Sequence, residues 1–294
     1  MSPNVRGACL MMASMAAFTM NDALLKLTGG AVPLMQLLFV RGILASFLLY
    51  GLARSLGALR GQVTRHDWTL IGIRSGAEIG AAYFFLTALF NMPLANVTAI
   101  LQVLPLTVTM GAAMFFGEAV GWRRWLAIGI GFLGMVLIVQ PGTEGFNVWS
   151  IYALIAVVFV TIRDLATRRM SRSVPSLLVT LAAAVAVTCF AGVASLGQGW
   201  AEISPLNGIY IVASAVFILG GYLFSVMVMR VGEISFIAPF RYTALIWALV
   251  LGWFVFGDWP EPMIIMGAVL IVVTGLFTLT RETRHRTKNP ADVV

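Results

Sequence analysis

Residues 235–258, SFIAPFRYTALIWALVLGWFVFGD, form an apolar run of membrane-crossing length that carries one basic residue, Arg241, near its start. Moved back by 140 positions, the run falls on residues 95–118, ANVTAILQVLPLTVTMGAAMFFGE, a second apolar span whose Phe116-Gly117-Glu118 ending matches Phe256-Gly257-Asp258. Two further echoes follow at nearly the same shift. Asn21-Asp22, Lys26 and Val32-Pro33 return as Arg163-Asp164, Arg168 and Val174-Pro175, and Gly80-Ala81-Ala82-Tyr83 returns as Leu219-Gly220-Gly221-Tyr222. A period of this size is too long for a solenoid and has the scale of duplicated halves.

Composition fixes the class. Apolar residues make up 60 % of the chain and charged residues 11 %, against about a quarter charged in soluble domains, and the mean hydropathy is +0.94. Spans of roughly 20 residues, the length that crosses a bilayer, can be laid over residues 5–26, 33–53, 68–90, 95–116, 122–140, 147–167, 175–196, 207–229, 234–256 and 262–280. The expected fold is an all-α integral membrane protein of ten transmembrane helices in two five-helix repeats, residues 1–141 and 142–281, followed by a cytoplasmic tail over 282–294. Five spans per half is odd, so the second half must enter the membrane upside down, and inverted repeats are a route to alternating access.

The net charge of +7 is a matter of topology, not of nucleic acid. With the N-terminus in the cytoplasm, 14 of the 19 basic residues fall in cytoplasmic segments and none in the opposite loops, as the positive-inside rule requires. Glu144, Glu202, Asp258 and Glu261 mark the far side, and both termini are expected in the cytoplasm. The tail is a short polar end that can touch anionic headgroups. Cys9 and Cys189 lie inside spans, where apolar packing accounts for them. The first span, which carries the repeated Asp22 and Lys26, is expected to be retained as a helix and not cleaved as a signal peptide.

Motifs of other classes are missing or false. Gly129, Gly131 and Gly134 spell GxGxxG in mid-span, with no strand before them, so they are not a dinucleotide loop. Gly72, Gly76 and Gly80 give the third span a smooth face for a neighbouring helix. His66 and His285 lie in solvated basic segments. No phosphate loop, metal cluster or nucleophile elbow is present, so neither an enzyme, a cofactor nor a metal is expected.

The remaining candidates are the charges within spans, which cost about 2.5–3.5 kcal/mol each on insertion scales and so are paired, snorkelling or functional. Asp22 with Lys26, and Asp164 with Arg168, are four residues apart and are expected to meet on one helix face as coupling or structural pairs. Arg74 and Glu78 have the same spacing, and whether Glu78 can take up a proton turns on whether Arg74 is bound to it. Positions where the halves differ suit an asymmetric ligand: Arg241 stands opposite Leu101, and Arg41 opposite Ala183. Arg241, Arg41, Glu78, Tyr83, Tyr222, Tyr242 and Gln102 are the candidate substrate-binding residues, the aromatics supplying stacking or hydrogen bonds. Five intramembrane cations against three acids leave a surplus of two, which suits a neutral polar or anionic solute.

NDALLK in the first span, the single arginine of the second, the FFGE ending of the fourth with Arg123-Arg124 opening the fifth, and APFRYTALIWALVLGWFVFGD in the ninth resemble the EamA-type transporters of the drug/metabolite transporter superfamily. The resemblance covers nearly the whole chain. It implies a bacterial inner-membrane carrier that works without ATP around a central cavity, and within the family the residues are most similar to S-adenosylmethionine or riboflavin uptake carriers. Export of amino acids or other metabolites is the alternative, and a lipid-acting membrane enzyme or a scaffold subunit the remote one. The expected partners are a small-molecule substrate and the lipid bilayer, with a homodimer kept as a candidate.

Overall fold

A computed structural model describes residues 2–60, 63–118, 120–141, 147–171, 173–228, 231 and 234–288, without side-chain detail at 60, 234–235 and 278–288. Glu144, Arg172 and Arg230, which entered the charge count, lie outside the described residues, as do tail residues 289–294. The chain is all helical: α1 Pro3–Leu27, α2 Leu34–Ser55, α3 Arg65–Asn91, α4 Leu94–Leu101, α5 Leu104–Phe116, α6 Trp122–Val139, α7 Trp149–Arg169, α8 Ser176–Ser195, α9 Pro205–Val228, α10 Ile234–Ile237, α11 Thr243–Phe256 and α12 Pro262–Lys288. These twelve pieces make ten spans, because the fourth (α4, α5) and ninth (α10, α11) are each broken. Helix α12 runs on to Lys288, so the first part of the expected tail is helical.

Both breaks sit beside a proline. Pro105 has no N–H to offer the carbonyl of Leu101, and its ring crowds that carbonyl, so α4 ends at Leu101, and the chain turns over tighter bonds from Gln102 to Ala99 and from Val103 to Ile100. In the ninth span Pro239 opens a 3-10 turn, Ala238–Tyr242, between α10 and α11. Both spans then end alike. Gly117 and Gly257 adopt left-handed φ of 67° and 72°, a conformation that costs glycine little. The following N–H groups of Glu118 and Asp258 bond back to Ala112 and Gly252, closing the helix end.

The packing follows the duplication. Helix α1 lies along α9 and α7 along α3, α2 pairs with α8, and α6 with α12. The broken fourth span touches α7 as the broken ninth touches α1, and α4 meets α11. Exchanging the halves maps each of these pairs onto itself or onto another, the pattern of an inverted repeat. One contact gives the register: Gly80 sits under the Phe159 ring and Gly221 under the Phe18 ring. Both members of the second pair are displaced from the first by the same step, so Gly80 corresponds to Gly221 and not, as the sequence echo has it, to Leu219.

Lipid tails are as apolar as leucine, so close backbone approach takes over from the hydrophobic effect in holding such helices together. A Cβ on Gly134 would stand 2.7 Å from the carbonyl oxygen of Gly267 on α12, while Gly129 faces open space. The false dinucleotide motif is thus partly a helix-packing surface. On α3 only Gly80 is a close approach; Gly72 and Gly76 meet nothing, which corrects the expectation of a continuous smooth face. Cys9 and Cys189 are exposed on the outside of the bundle.

The start of α3 is tied to the other half. Thr64 caps the helix, accepting from the Asp67 N–H at 3.1 Å and donating its hydroxyl to the Asp67 carboxylate at 2.7 Å, while the Ser171 N–H donates to the other carboxylate oxygen at 3.0 Å. Asp67 is fully buried. The Ser171 amide and the Thr64 hydroxyl hold its carboxyl below the usual carboxylate range.

Candidate functional site

Helices α2, α3, α8 and α9 line a small open cavity of about 90 Å³. Its polar lining is Arg41, Arg74, Glu78, Thr180 and Tyr222, set among small and apolar residues such as Ala82, Ala183 and Ala184. Arg41 and Ala183, the unlike pair at one repeat position, face the same cavity, so the two halves present it with different chemistry. Eight spans are long and apolar enough to cross a membrane by composition alone, and α3, which carries Arg74 and Glu78, is not among them.

The charges form a network across three helices. Glu78 accepts from Arg163 of α7 at 3.5 Å and lies 3.9 Å from Arg74, one turn away on its own helix. Arg163 also donates to Asp164 at 2.9 Å. Arg74 donates to the Thr167 hydroxyl at 3.1 Å and the Val179 carbonyl at 3.4 Å, tying α3 to α7 and α8. Arg163, absent from the candidates above, is thus a member of the network; the signal for it was its position within a span together with the need of Glu78 for a counter-charge.

Arg41 behaves differently. Its Nε is buried with no hydrogen-bond partner, and among the described residues Arg41 makes no hydrogen bond or ion pair. Asp22, Glu78 and the Tyr222 hydroxyl lie within its electrostatic reach without touching it. Among the described residues Asp22 accepts only the Asn21 side-chain amide, at 2.9 Å. The Tyr222 ring stands edge-on to Phe18, with centroids 5.3 Å apart.

The expected pairs along one helix are replaced by contacts with other helices, within the half as well as between halves. Lys26 donates to the Leu89 and Met92 carbonyls at 2.9 Å each, at the end of α3, and lies 5.5 Å from the centre of the Phe256 ring. Asp258 is the acid acting on it. Arg168 donates to Glu118 at 3.1 Å, and the neighbouring Arg169 lies 4.1 Å from the centre of the Phe116 ring. Each cation therefore docks on the Phe-Gly-acid corner of the opposite repeat. The long side chains reach past their own helix because an unsatisfied carbonyl or a counter-charge across the interface is a stronger partner than one spaced a turn away on the helix.

The other candidates lie apart. Arg241 is exposed on the 3-10 turn and does not line the cavity. Tyr242 is buried against α12, its hydroxyl beside Gly275 without a hydrogen-bond partner. Gln102 is buried at the break in the fourth span. Tyr83 is 38 % exposed, edge-on to Phe84. With Lys26 and Arg241 outside it, the central cluster holds Arg41, Arg74 and Arg163 against Asp22, Glu78 and Asp164. The surplus of two cations counted from the sequence disappears, since those two residues carried it.

A ten-span inverted repeat around a polar intramembrane cavity is the architecture of a membrane carrier. The chain belongs to the EamA-like transporter family, which it matches over residues 5–140 and again over 147–280. Family members are transporters and not enzymes, and this one is a multi-pass inner-membrane protein that moves a small molecule across the bilayer. It is 22 % identical to an S-adenosylmethionine uptake transporter of Rickettsia prowazekii, covering 95 % of this chain and 94 % of that one. It is 25 % identical to a pseudopaline exporter of Pseudomonas aeruginosa (90 % and 93 % covered) and 24 % identical to a riboflavin transporter of Vibrio cholerae (95 % of each). A solved crystal structure shares the fold, with a TM-score of 0.64 at 18 % identity over 95 % of this chain and 98 % of the other.

Proposed function

We propose that the protein is a secondary carrier that takes up a small polar, planar metabolite by alternating access, with S-adenosylmethionine and riboflavin as the leading solutes. The observation that carries this reading is the polar cavity between the halves, which offers Arg41, Glu78 and Tyr222 from three helices. Its walls come from both halves, and rocking one half against the other would move the opening across the membrane. Arg168 supports that motion, since it rests on the Glu118 corner of the opposite repeat, and the Lys26 ammonium faces the Phe256 ring at the equivalent corner while bonded to its own repeat. Both termini are cytoplasmic in this scheme, and Asp22 and Glu78 are the acids available for ion coupling.

The pseudopaline exporter among the relatives supports a second reading, export of a metabolite by the same geometry. Flux of labelled S-adenosylmethionine and riboflavin through proteoliposomes loaded on either side decides between them. Uptake or efflux of a solute above protein-free vesicles is the expected result. Flux indistinguishable from empty vesicles for every solute in either direction removes the carrier reading.

A further inference from the structure

We infer that Arg41 is the carboxylate anchor of the cavity, so that the transported solute carries a carboxylate. The inference rests on the carrier reading above and deepens it. A guanidinium presents five donors and stays charged under all ordinary conditions. In this chain one nitrogen of Arg41 is sealed from solvent and no donor is used among the described residues, while the side chain lines the cavity. A cation held this way inside a membrane is costly unless an anion reaches it.

Among the described residues, no acid fills that role. Glu78 is engaged by Arg163 and Arg74, and Asp164 by Arg163. Asp22 acts on Arg41 only through space and takes its hydrogen bond from Asn21. The groups facing Arg41 from the neighbouring helices are then Asp22 on α1, Glu78 on α3 and the Tyr222 hydroxyl on α9. None is in contact with it, which leaves the planar fork free for a bidentate partner, and a carboxylate matches its geometry. Thr180 and Tyr222 line the same cavity and offer hydroxyls to the body of the solute.

The anchor separates the two leading solutes, because S-adenosylmethionine carries a carboxylate and riboflavin carries none. It also gives the unlike repeat positions a purpose: arginine at 41 holds the charged end, and alanine at 183, facing it, leaves room for the remainder.

The test sets each carboxylate-bearing compound against a partner of similar shape that lacks the carboxylate. Purified protein in lipid nanodiscs is titrated with S-adenosylmethionine and its decarboxylated counterpart, and with tryptophan and tryptophan amide, for the wild type, Arg41→Lys, Arg41→Met and Arg241→Met. At least one acid should bind wild type about 30-fold or more tightly than its partner without the carboxylate, the discrimination expected of a desolvated charge pair. Arg41→Met should abolish the preference and Arg41→Lys retain part of it, while Arg241→Met leaves it intact. Elution volume and ligand-free melting temperature show that the variants are folded.

Acids that bind no better than their partners without the carboxylate, or a preference that survives in Arg41→Met, overturn the anchor. The same solutes are followed as flux in proteoliposomes. Wild type that moves the partner without the carboxylate as fast as the acid sinks the anchor alone, and wild type that moves none of them sinks the uptake reading together with it.

Discussion

Glu78→Gln tests the charge network that joins the two repeats. The carboxylate lies 3.5 Å from Arg163 and 3.9 Å from Arg74, so each attraction is about 4–5 kcal/mol at an effective dielectric constant of about 20. Removing three ions from water cancels most of that gain, at several kcal/mol per ion. Neither arginine is stranded by the change. Arg163 keeps Asp164 at 2.9 Å, and Arg74 keeps the Thr167 hydroxyl and the Val179 carbonyl. The three side chains are only 12–25 % exposed, too little for water to take the place of the lost charge. The net loss should therefore fall below the value for an uncompensated buried charge, at about 2–3 kcal/mol. That is a fall of about 4–8 °C in Tm for a chain of this size. Melting of detergent-purified protein, followed by size-exclusion chromatography, measures it. A cycle with Arg163→Gln should show a coupling of about 1–2 kcal/mol, because the two side chains touch. A Glu78→Gln variant that melts with the wild type, or a coupling near zero, would refute the view that this carboxylate holds α3 against α7.

Gly134→Leu should drive α6 from α12 and destabilise by about 1–3 kcal/mol or more, since a Cβ there already meets the Gly267 carbonyl at 2.7 Å; Gly129→Leu, which faces open space, should melt as the wild type does. Lys26→Met strips two carbonyl bonds from the end of α3 and should cost about 2–3 kcal/mol, the range of charged hydrogen bonds; a melting temperature equal to that of the wild type would show those bonds to be idle. The third concerns pH. Asp67 has its folded value depressed by the Ser171 amide and the Thr64 hydroxyl, so its contribution is full at neutral pH and is lost as the pH falls below about 4 and through the folded value. Asp67→Asn should accordingly melt below wild type at pH 7, with the gap closing in acid; a gap that stays constant down to pH 3 would contradict the assignment.

Class, span number, duplication and inversion were all legible in the sequence, because they depend on properties local to the chain. A run of apolar residues crosses a bilayer whatever its neighbours do, and Phe116-Gly117-Glu118 and Phe256-Gly257-Asp258 end their helices through the same left-handed glycine wherever they sit. Arg41, Glu78 and Tyr222 could be named as candidates because a polar group in a span requires an explanation. Which of the candidates met in space was settled only by the packing. In water an amphipathic stripe shows which face of a helix turns inward, but a helix among lipids is apolar all round, so the sequence of the ninth span gives no sign that Arg241 faces outward while that of the second gives none that Arg41 faces the cavity. Spacing along one helix likewise suggested partners for Lys26 and Arg168 that lost to carbonyls and carboxylates on other helices. Such partners are far away in sequence, and only the folded bundle brings them within reach of a long side chain.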